Sequence, residues 1–200
     1  NIPTLVKKKY VYGIGNDFLT VTNLLFSDQV GLGYYSEKDI SKKNLFEVIK
    51  NERITIEDCL PYQKNKIDWL LNNEYLTISH NKTIVFSDRK IIVVLKDLYY
   101  NEVISYWKYP EEYRKSMDVL FDKKIVEFED TLFSRPEQNY INYFLNKAQY
   151  NNGLDLRNMY SHSQPYGNES MKIHEQNYMY FLRLLILFII KINDDFCLAD

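Results

Sequence analysis

One short segment contains residue types that can act together on a phosphate: Asp155-Leu156-Arg157-Asn158-Met159-Tyr160-Ser161-His162. Histidine has an ordinary pKa of about 6.5, so His162 can accept or donate a proton near neutral pH. The Arg157 guanidinium can hold two phosphate oxygens by parallel hydrogen bonds and stabilise the extra negative charge of a pentacoordinate phosphorus. Asn158 can orient His162 or hold a phosphate oxygen. These three side chains are the candidate catalytic residues.

Helical spacing limits how these side chains meet. The pattern predicts a short helix over residues 154–161. On a regular helix Asn158 and His162 share a face, whereas Arg157 and His162 lie about 140° apart. A shared site therefore requires one of two arrangements. Either the helix ends at Ser161 so that His162 turns toward Arg157, or a second copy of the chain supplies the facing arginine.

The Arg-Asn-x-x-x-His spacing resembles the motif of the HEPN family, in which arginine is followed by four to six residues, the first of them polar, and then by histidine. Arg157, Asn158 and His162 match the motif positions, while Ser163 stands where the family often has glycine. The resemblance extends loosely over residues 90–200. It implies an α-helical bundle with the motif near the start of its last helical hairpin.

The same resemblance implies a function. Many HEPN members are metal-independent ribonucleases, often in toxin or phage-defence settings, and active members are dimers in which two motifs meet in one cleft. We therefore expect a homodimeric endoribonuclease that uses no cofactor and no metal ion. An internal 2′-hydroxyl would attack the phosphorus of RNA and leave a 2′,3′-cyclic phosphate.

Two alternatives remain open at this point. Some HEPN members are inactive and bind nucleotides or partners, so the chain is alternatively a regulatory or partner-binding module. It is otherwise the C-terminal part of a larger defence protein whose main activity lies in other residues.

The region before this domain has its own pattern. Short helices are predicted over residues 44–50 and 62–73, and strands over residues 75–79 and 83–86. Pro61 fits the start of the second helix. Two helices followed by a β-hairpin resemble a winged helix-turn-helix unit.

A winged-helix-like module predicts contact with DNA or with a protein. The second helix would lie in a DNA groove. Polar residues near its start would then face the nucleic acid: Gln63, Lys64, Asn65 and Lys66. The alternative is a packing or linker module with solvated charges, since the acidic residues Glu57, Asp58, Asp68 and Glu74 surround this helix.

Composition excludes several classes. With 46% hydrophobic residues, the chain is too apolar to be disordered. Cys59 and Cys197 cannot form a disulfide scaffold, and we expect both to be buried or partly buried thiols. His80 is expected in an exposed hairpin turn. His174 is expected on a solvated helix surface, with an approach to the catalytic cleft as the alternative. The net charge of −2 argues against a general nucleic-acid coat but leaves room for a local basic groove.

No membrane contact is expected. The longest apolar run, residues 178–190, is shorter than the about 20 residues that span a bilayer, so we predict a buried helix there. The first ten residues lack the apolar core of a signal peptide. We expect a cytoplasmic protein with free thiols. Because the chain begins at Asn1 rather than Met, we also expect a piece of a longer protein.

These patterns predict a mainly α-helical protein, α+β overall, in three parts. Residues 1–43 form an N-terminal segment of unclear fold, residues 44–89 the winged-helix-like module, and residues 90–200 the HEPN-like α-helical domain. From residue 90 onward the chain is expected to be helical almost throughout, including residues 125–133. No internal repeat is evident in the sequence.

Overall fold

The structure is a computed structural model that describes residues 2–147, 149–161 and 171–200. Within these ranges the chain is mainly α-helical with small sheets. The helices are α1 (Gly15–Phe26), α2 (Leu45–Asn51), α3 (Pro61–Asn72), α4 (Arg89–Asn101), α5 (Glu111–Asp122), α6 (Arg135–Leu145), α7 (Leu156–Ser161) and α8 (Met171–Ala199). The strands are β1 (Tyr10–Gly13), β2 (Tyr34–Tyr35), β3 (Ile40–Ser41), β4 (Leu76–Ile78), β5 (Ile84–Phe86), β6 (Val103–Ser105) and β7 (Val126–Glu129).

The chain divides into two compact units. One contains residues 11–128, and the other contains residues 1–10 together with residues 129–200. The sequence placed a boundary near residue 90, before α4. In the structure α4 buries Ile92, Leu95 and Leu98 in the core of the larger unit, and the two compact units divide between residues 128 and 129, at the end of β7.

The larger unit contains three small sheets and five helices among its described residues. One sheet has the order β6-β1-β7, and the hairpins β2-β3 and β4-β5 pair antiparallel. The helix starts follow from local chemistry: Asn44 accepts a hydrogen bond from the amide of Glu47 at the start of α2, and Asp88 does the same for Lys90 at the start of α4. The predicted order of two helices and a hairpin is confirmed. The specific likeness to a winged helix remains a prediction.

The prediction that residues 125–133 are helical is wrong. Residues Val126–Glu129 form strand β7, and β6 is a second strand after residue 90 that the sequence analysis missed. Along β7 the Val126 side chain is buried and the Glu127 side chain is exposed, which is the period-two alternation of a strand with one covered face. This segment is short, so its apolar residues fit a helix almost as well on spacing alone.

Helices α3 and α5 end in the same kind of turn. Helix α3 leads into β4, and α5 leads into β7, through the same tight turn. In each turn a residue with left-handed backbone follows the helix, namely Glu74 (φ 62°) and Lys124 (φ 57°). The next amide then reaches back to the helix: Tyr75 N donates to Leu70 O, and Ile125 N donates to Leu120 O, both at 2.9 Å. At the end of each helix, this hydrogen bond satisfies one of the last helical carbonyls.

The smaller unit contains α6, α7, α8 and the first residues of the chain, up to residue 10. Phe144, Leu156 and Leu184 form its apolar cluster, one from each helix. Lys9 from the N-terminal segment is fully buried, and its Nζ lies 3.0 Å from the carboxylate of Asp195 on α8. This ion pair joins the first residues of the chain to the last helix.

Helix α8 is not the buried helix that the sequence predicted. Its buried face carries Asn177, Leu184 and Asp195. Much of the remaining surface is apolar and exposed, including Ile186 and Ile189. None of the described helices combines the length and apolarity needed to cross a membrane.

Candidate functional site

The candidate catalytic segment follows a connection between α6 and α7 that requires glycine. The amide of Leu154 donates to the carbonyl of Tyr143 at the end of α6, at 3.1 Å. A Cβ on Gly153 would lie 2.7 Å from that same carbonyl oxygen, which is closer than real Cβ contacts. Gly153 therefore lets the chain turn sharply and begin α7 beside α6.

Asp155 organises the start of α7. Its backbone is left-handed (φ 56°), and its side-chain Oδ1 accepts hydrogen bonds from Asn158 Nδ2 at 2.9 Å and from the amide of Lys147 at 3.3 Å. The amide group of Asn158 is thus already bonded within the helix. Asn158 would therefore support the site indirectly, by fixing the position of α7.

Arg157 and Asn158 are both exposed on α7, and Arg157 borders a cavity. Among the described residues no carboxylate pairs with the Arg157 guanidinium. His162 and Ser163 lie outside the described residues. Of the predicted pair, Arg157 and His162, the structure therefore describes Arg157.

The cavity is partly enclosed, has a volume of about 460 Å³ and lies between α7 and the first turns of α8. Its walls are mostly apolar and include Leu145, Leu156 and Phe181. The polar residues that border it share one end of the smaller unit: Arg157, Tyr160, Ser161, His174 and Asn177. The volume is in the range of pockets that hold small organic groups.

His174 differs from its prediction as a solvated helix-surface residue. It is half-buried, borders the same cavity as Arg157, and its Nδ1 lies 3.0 Å from the phenol oxygen of Tyr160. Asn177 is buried one turn further along α8, and its Nδ2 donates to the same phenol oxygen at 3.1 Å and to Met159 Sδ at 3.3 Å. A hydrogen-bonded chain thus joins α7 to α8 beside Arg157.

This hydrogen-bonded chain was not predicted from the sequence, because Tyr160 and His174 are separated by the connection between two helices. The one available signal was the i, i+3 spacing of His174 and Asn177, which places two polar side chains on one face of a largely apolar helix. Asn177 on the buried face of α8 then requires a hydrogen-bond partner.

The predicted nucleic-acid face of α3 is partly occupied by internal contacts. Gln63 is completely buried, and its Nε2 donates to the carbonyls of Gly31 and Tyr34, both at 2.8 Å. Lys66 Nζ donates to the carbonyl of Val30 at 2.7 Å. The prediction that Gln63 faces nucleic acid is therefore wrong, because its side chain is buried and its amide is bonded to these two carbonyls. Lys64 and Asn65 are exposed as predicted.

The remaining histidine and the cysteines were predicted with mixed success. His80 is exposed in the hairpin turn, as predicted. Cys59 is buried, but Cys197 is exposed, contrary to the prediction. Within the described ranges, no group of three or more His, Cys, Asp or Glu side chains is arranged to hold a metal ion.

Comparison of the chain with protein-family models, curated proteins and solved structures gives no match.

Proposed function

We propose that this chain is an endoribonuclease that cleaves RNA by attack of a 2′-hydroxyl on the adjacent phosphorus. The observation that supports this best is the environment of Arg157. Its guanidinium is exposed, has no carboxylate partner among the described residues, and borders a cavity with Tyr160 and His174. An arginine that served only a structural ion pair would be neutralised by a neighbouring acid.

The proposed roles follow from the chemistry of each side chain. Arg157 binds two oxygens of the scissile phosphate and stabilises the charge that develops on the phosphorane. His162 transfers the proton of the 2′-hydroxyl. Asn158 supports the site by fixing the start of α7 through Asp155. The internal nucleophile makes a hydrolytic metal ion unnecessary, and the product is a 2′,3′-cyclic phosphate.

We include homodimerisation in this proposal. Exposed apolar side chains on α8 recur at steps of three, four or seven residues: Tyr178, Leu185, Ile189, Ile192 and Phe196. Half-buried Leu182 fits the same series. This is the a/d spacing by which one helix packs along another, and it spans about 27 Å at 1.5 Å per residue. A second copy carries the same stripe, so the two α8 helices can cover each other's apolar surface.

The same stripe favours a second candidate function. A non-catalytic HEPN-like module would use α8 to bind a different protein, and the winged-helix-like part would contact DNA or protein. In that case the openness of Arg157 would have no catalytic consequence.

RNA cleavage in the presence of a chelator tests the proposed function. The unaltered chain is compared with Arg157→Ala and His162→Ala, after circular dichroism has verified their folding. Arg53→Ala and His80→Ala are matched controls, since both residues are exposed in the larger unit. We expect cleavage to persist in the chelator, to be lost in the first two variants and to be unchanged in the controls. Absence of cleavage by the unaltered dimer would favour the binding module, and cleavage that persists in both variants would refute the site.

A further inference from the structure

The reaction proposed above needs two proton transfers, and the motif supplies one histidine. Attack by the 2′-hydroxyl requires a group that removes its proton. Departure of the 5′-oxygen requires a group that protonates it, because an alkoxide is a poor leaving group. The predicted motif of Arg157, Asn158 and His162 contains, in each chain, one side chain suited to either step. A second proton-transfer group near Arg157 would complete the reaction within one chain.

His174 stands where such a group is needed. It comes from the second turn of α8, whereas Arg157 comes from α7, and both border the same cavity. Its half-buried ring has one edge bonded to Tyr160. Among the described residues Nε2 has no hydrogen-bond partner, and the ring borders the cavity.

Tyr160 holds one edge of the His174 ring. Its phenol oxygen accepts a hydrogen bond from the Asn177 amide, at 3.1 Å, and lies 3.0 Å from Nδ1 of His174. A protonated imidazole carries a proton on each nitrogen, so Nδ1–H can donate to this oxygen while Nε2–H is the proton to be transferred. The chain from Asn177 through Tyr160 therefore orients the ring, and this is the arrangement in which a general acid is positioned by a neighbouring group.

We propose that His174 is the general acid of the reaction, with Tyr160 and Asn177 as its positioning residues. This assignment rests on the proposed ribonuclease function. The 2′-oxygen gives its proton to His162 and forms a bond to phosphorus, while the bond between phosphorus and the 5′-oxygen breaks. The 5′-oxygen takes the proton from Nε2 of the protonated His174, whose ring becomes neutral. The products are a 2′,3′-cyclic phosphate and a 5′-hydroxyl, and protons transferred through solvent restore both histidines.

A change of leaving group separates this role from any other. The substrates are DNA oligonucleotides with one ribonucleotide, in which the atom that leaves is either the natural 5′-oxygen or a bridging 5′-sulfur. A thiolate leaves without protonation, so a general acid matters only for the oxygen substrate. We expect His174→Ala to slow cleavage of the oxygen substrate by about 10²-fold or more and to slow the sulfur substrate far less.

The other variants make the outcome decisive. His174→Gln can still hydrogen-bond with Tyr160 but cannot transfer a proton, so it should show the same selective loss as His174→Ala. Arg157→Ala and His162→Ala should slow both substrates. Equal losses on both substrates in the His174 variants, or no loss, would overturn the general-acid role while leaving the ribonuclease intact. Failure of the unaltered chain to cleave either substrate would refute the ribonuclease proposal and the role of His174 with it.

Discussion

The phenol oxygen of Tyr160 lies 3.0 Å from Nδ1 of His174, so a residue of the predicted catalytic helix is bonded directly to the helix that follows it. This contact connects the Arg157 side of the cavity to the buried amide of Asn177. The position of the imidazole therefore depends on a hydroxyl that takes no direct part in the chemistry.

Tyr160→Phe removes that hydroxyl and keeps the ring. We expect cleavage of the 5′-oxygen substrate to fall about 3- to 10-fold, because one hydrogen bond worth about 1 kcal/mol is lost and His174 is less well oriented. The 5′-sulfur substrate should be nearly unaffected. Tyr140→Phe is the control, since Tyr140 is an exposed α6 tyrosine that does not border the cavity. Equal rates for Tyr160→Phe and the unaltered chain would show that the hydroxyl does not position His174.

Local sequence patterns predicted much of the helical framework. Helices α3 and α7 lie close to their predicted positions, and Pro61 gives α3 a clear start signal. Strand β7 was predicted as a helix because four residues are too few for their period to be decisive.

The part of the site that the sequence did not predict is the part formed by tertiary contacts. The sequence motif identified Arg157 as a candidate. His174 borders the same cavity as Arg157 because α7 and α8 pack together. Gln63 shows the opposite error. A polar residue in the first turn of a helix indicates an exposed face, but the carbonyls of Gly31 and Tyr34 approach from a distant segment and bury it.

The buried amide of Gln63 predicts a large effect on stability. Its Oε1 accepts from the amide of Leu60 at 2.9 Å, so Gln63→Leu would leave this donor and the carbonyl of Tyr34 without their partner, while the carbonyl of Gly31 keeps the hydroxyl of Tyr62. We expect the free energy of unfolding to fall by about 3 kcal/mol, given about 1–3 kcal/mol for each buried polar group left unsatisfied. Denaturant titration measures the change. Asn65→Ala, at an exposed position of the same helix, should change stability by less than about 0.5 kcal/mol. A Gln63→Leu variant with an unchanged free energy of unfolding would contradict the burial of this amide.

The two cysteines should react at very different rates. Burial, with added repulsion from Asp58, raises the pKa of the Cys59 thiol to about 11. At pH 8 about one Cys59 thiol in a thousand is then ionised, and the side chain is also inaccessible. Cys197 is exposed. We expect a thiol reagent at pH 8 to label one cysteine rapidly and the second only on unfolding. Cys197→Ser should abolish the rapid phase, and a rapid phase that survives in this variant would refute the assignment.

The ion pair of Lys9 and Asp195 should stabilise the smaller unit in a pH-dependent way. Asp195→Ala would leave the fully buried ammonium of Lys9 unpaired, and we expect a loss of about 3–5 kcal/mol in denaturant titration. The double variant Lys9→Met, Asp195→Leu should recover much of this loss, because it removes both buried charges. A double variant as unstable as Asp195→Ala would show that the unpaired charge is not the cause.

The sign of the pH dependence follows from the contacts of Asp195. Burial alone raises the pKa of this carboxyl, but hydrogen bonds from Thr4 and Leu5 and the nearby Lys9 outweigh it, so the pKa is lowered overall. The ionised form therefore stabilises the fold above the unfolded pKa of about 3.9, and this contribution is lost as the pH falls through the lower pKa of the folded state. We expect the stability difference between the unaltered chain and Asp195→Asn to be constant near neutrality and to shrink below about pH 4. A difference that grows on acidification would contradict the lowered pKa.

The apolar stripe of α8 predicts the oligomeric state. Ile189 lies at the centre of this stripe and is 58% exposed in the single chain, so two copies that pair through α8 would bury it. Ile189→Asp would then place a charge in the interface, and we expect sedimentation velocity to show a monomer where the unaltered chain is a dimer. Ile173→Asp is the matched control, because Ile173 is also exposed on α8 but lies off the stripe. If both copies contribute to one cleft, RNA cleavage should disappear with the dimer in Ile189→Asp and remain in Ile173→Asp.

Two outcomes would contradict these expectations. An unaltered chain that is monomeric at every concentration would refute pairing through α8. A monomeric Ile189→Asp variant that cleaves RNA at the full rate would show that each copy carries a complete site.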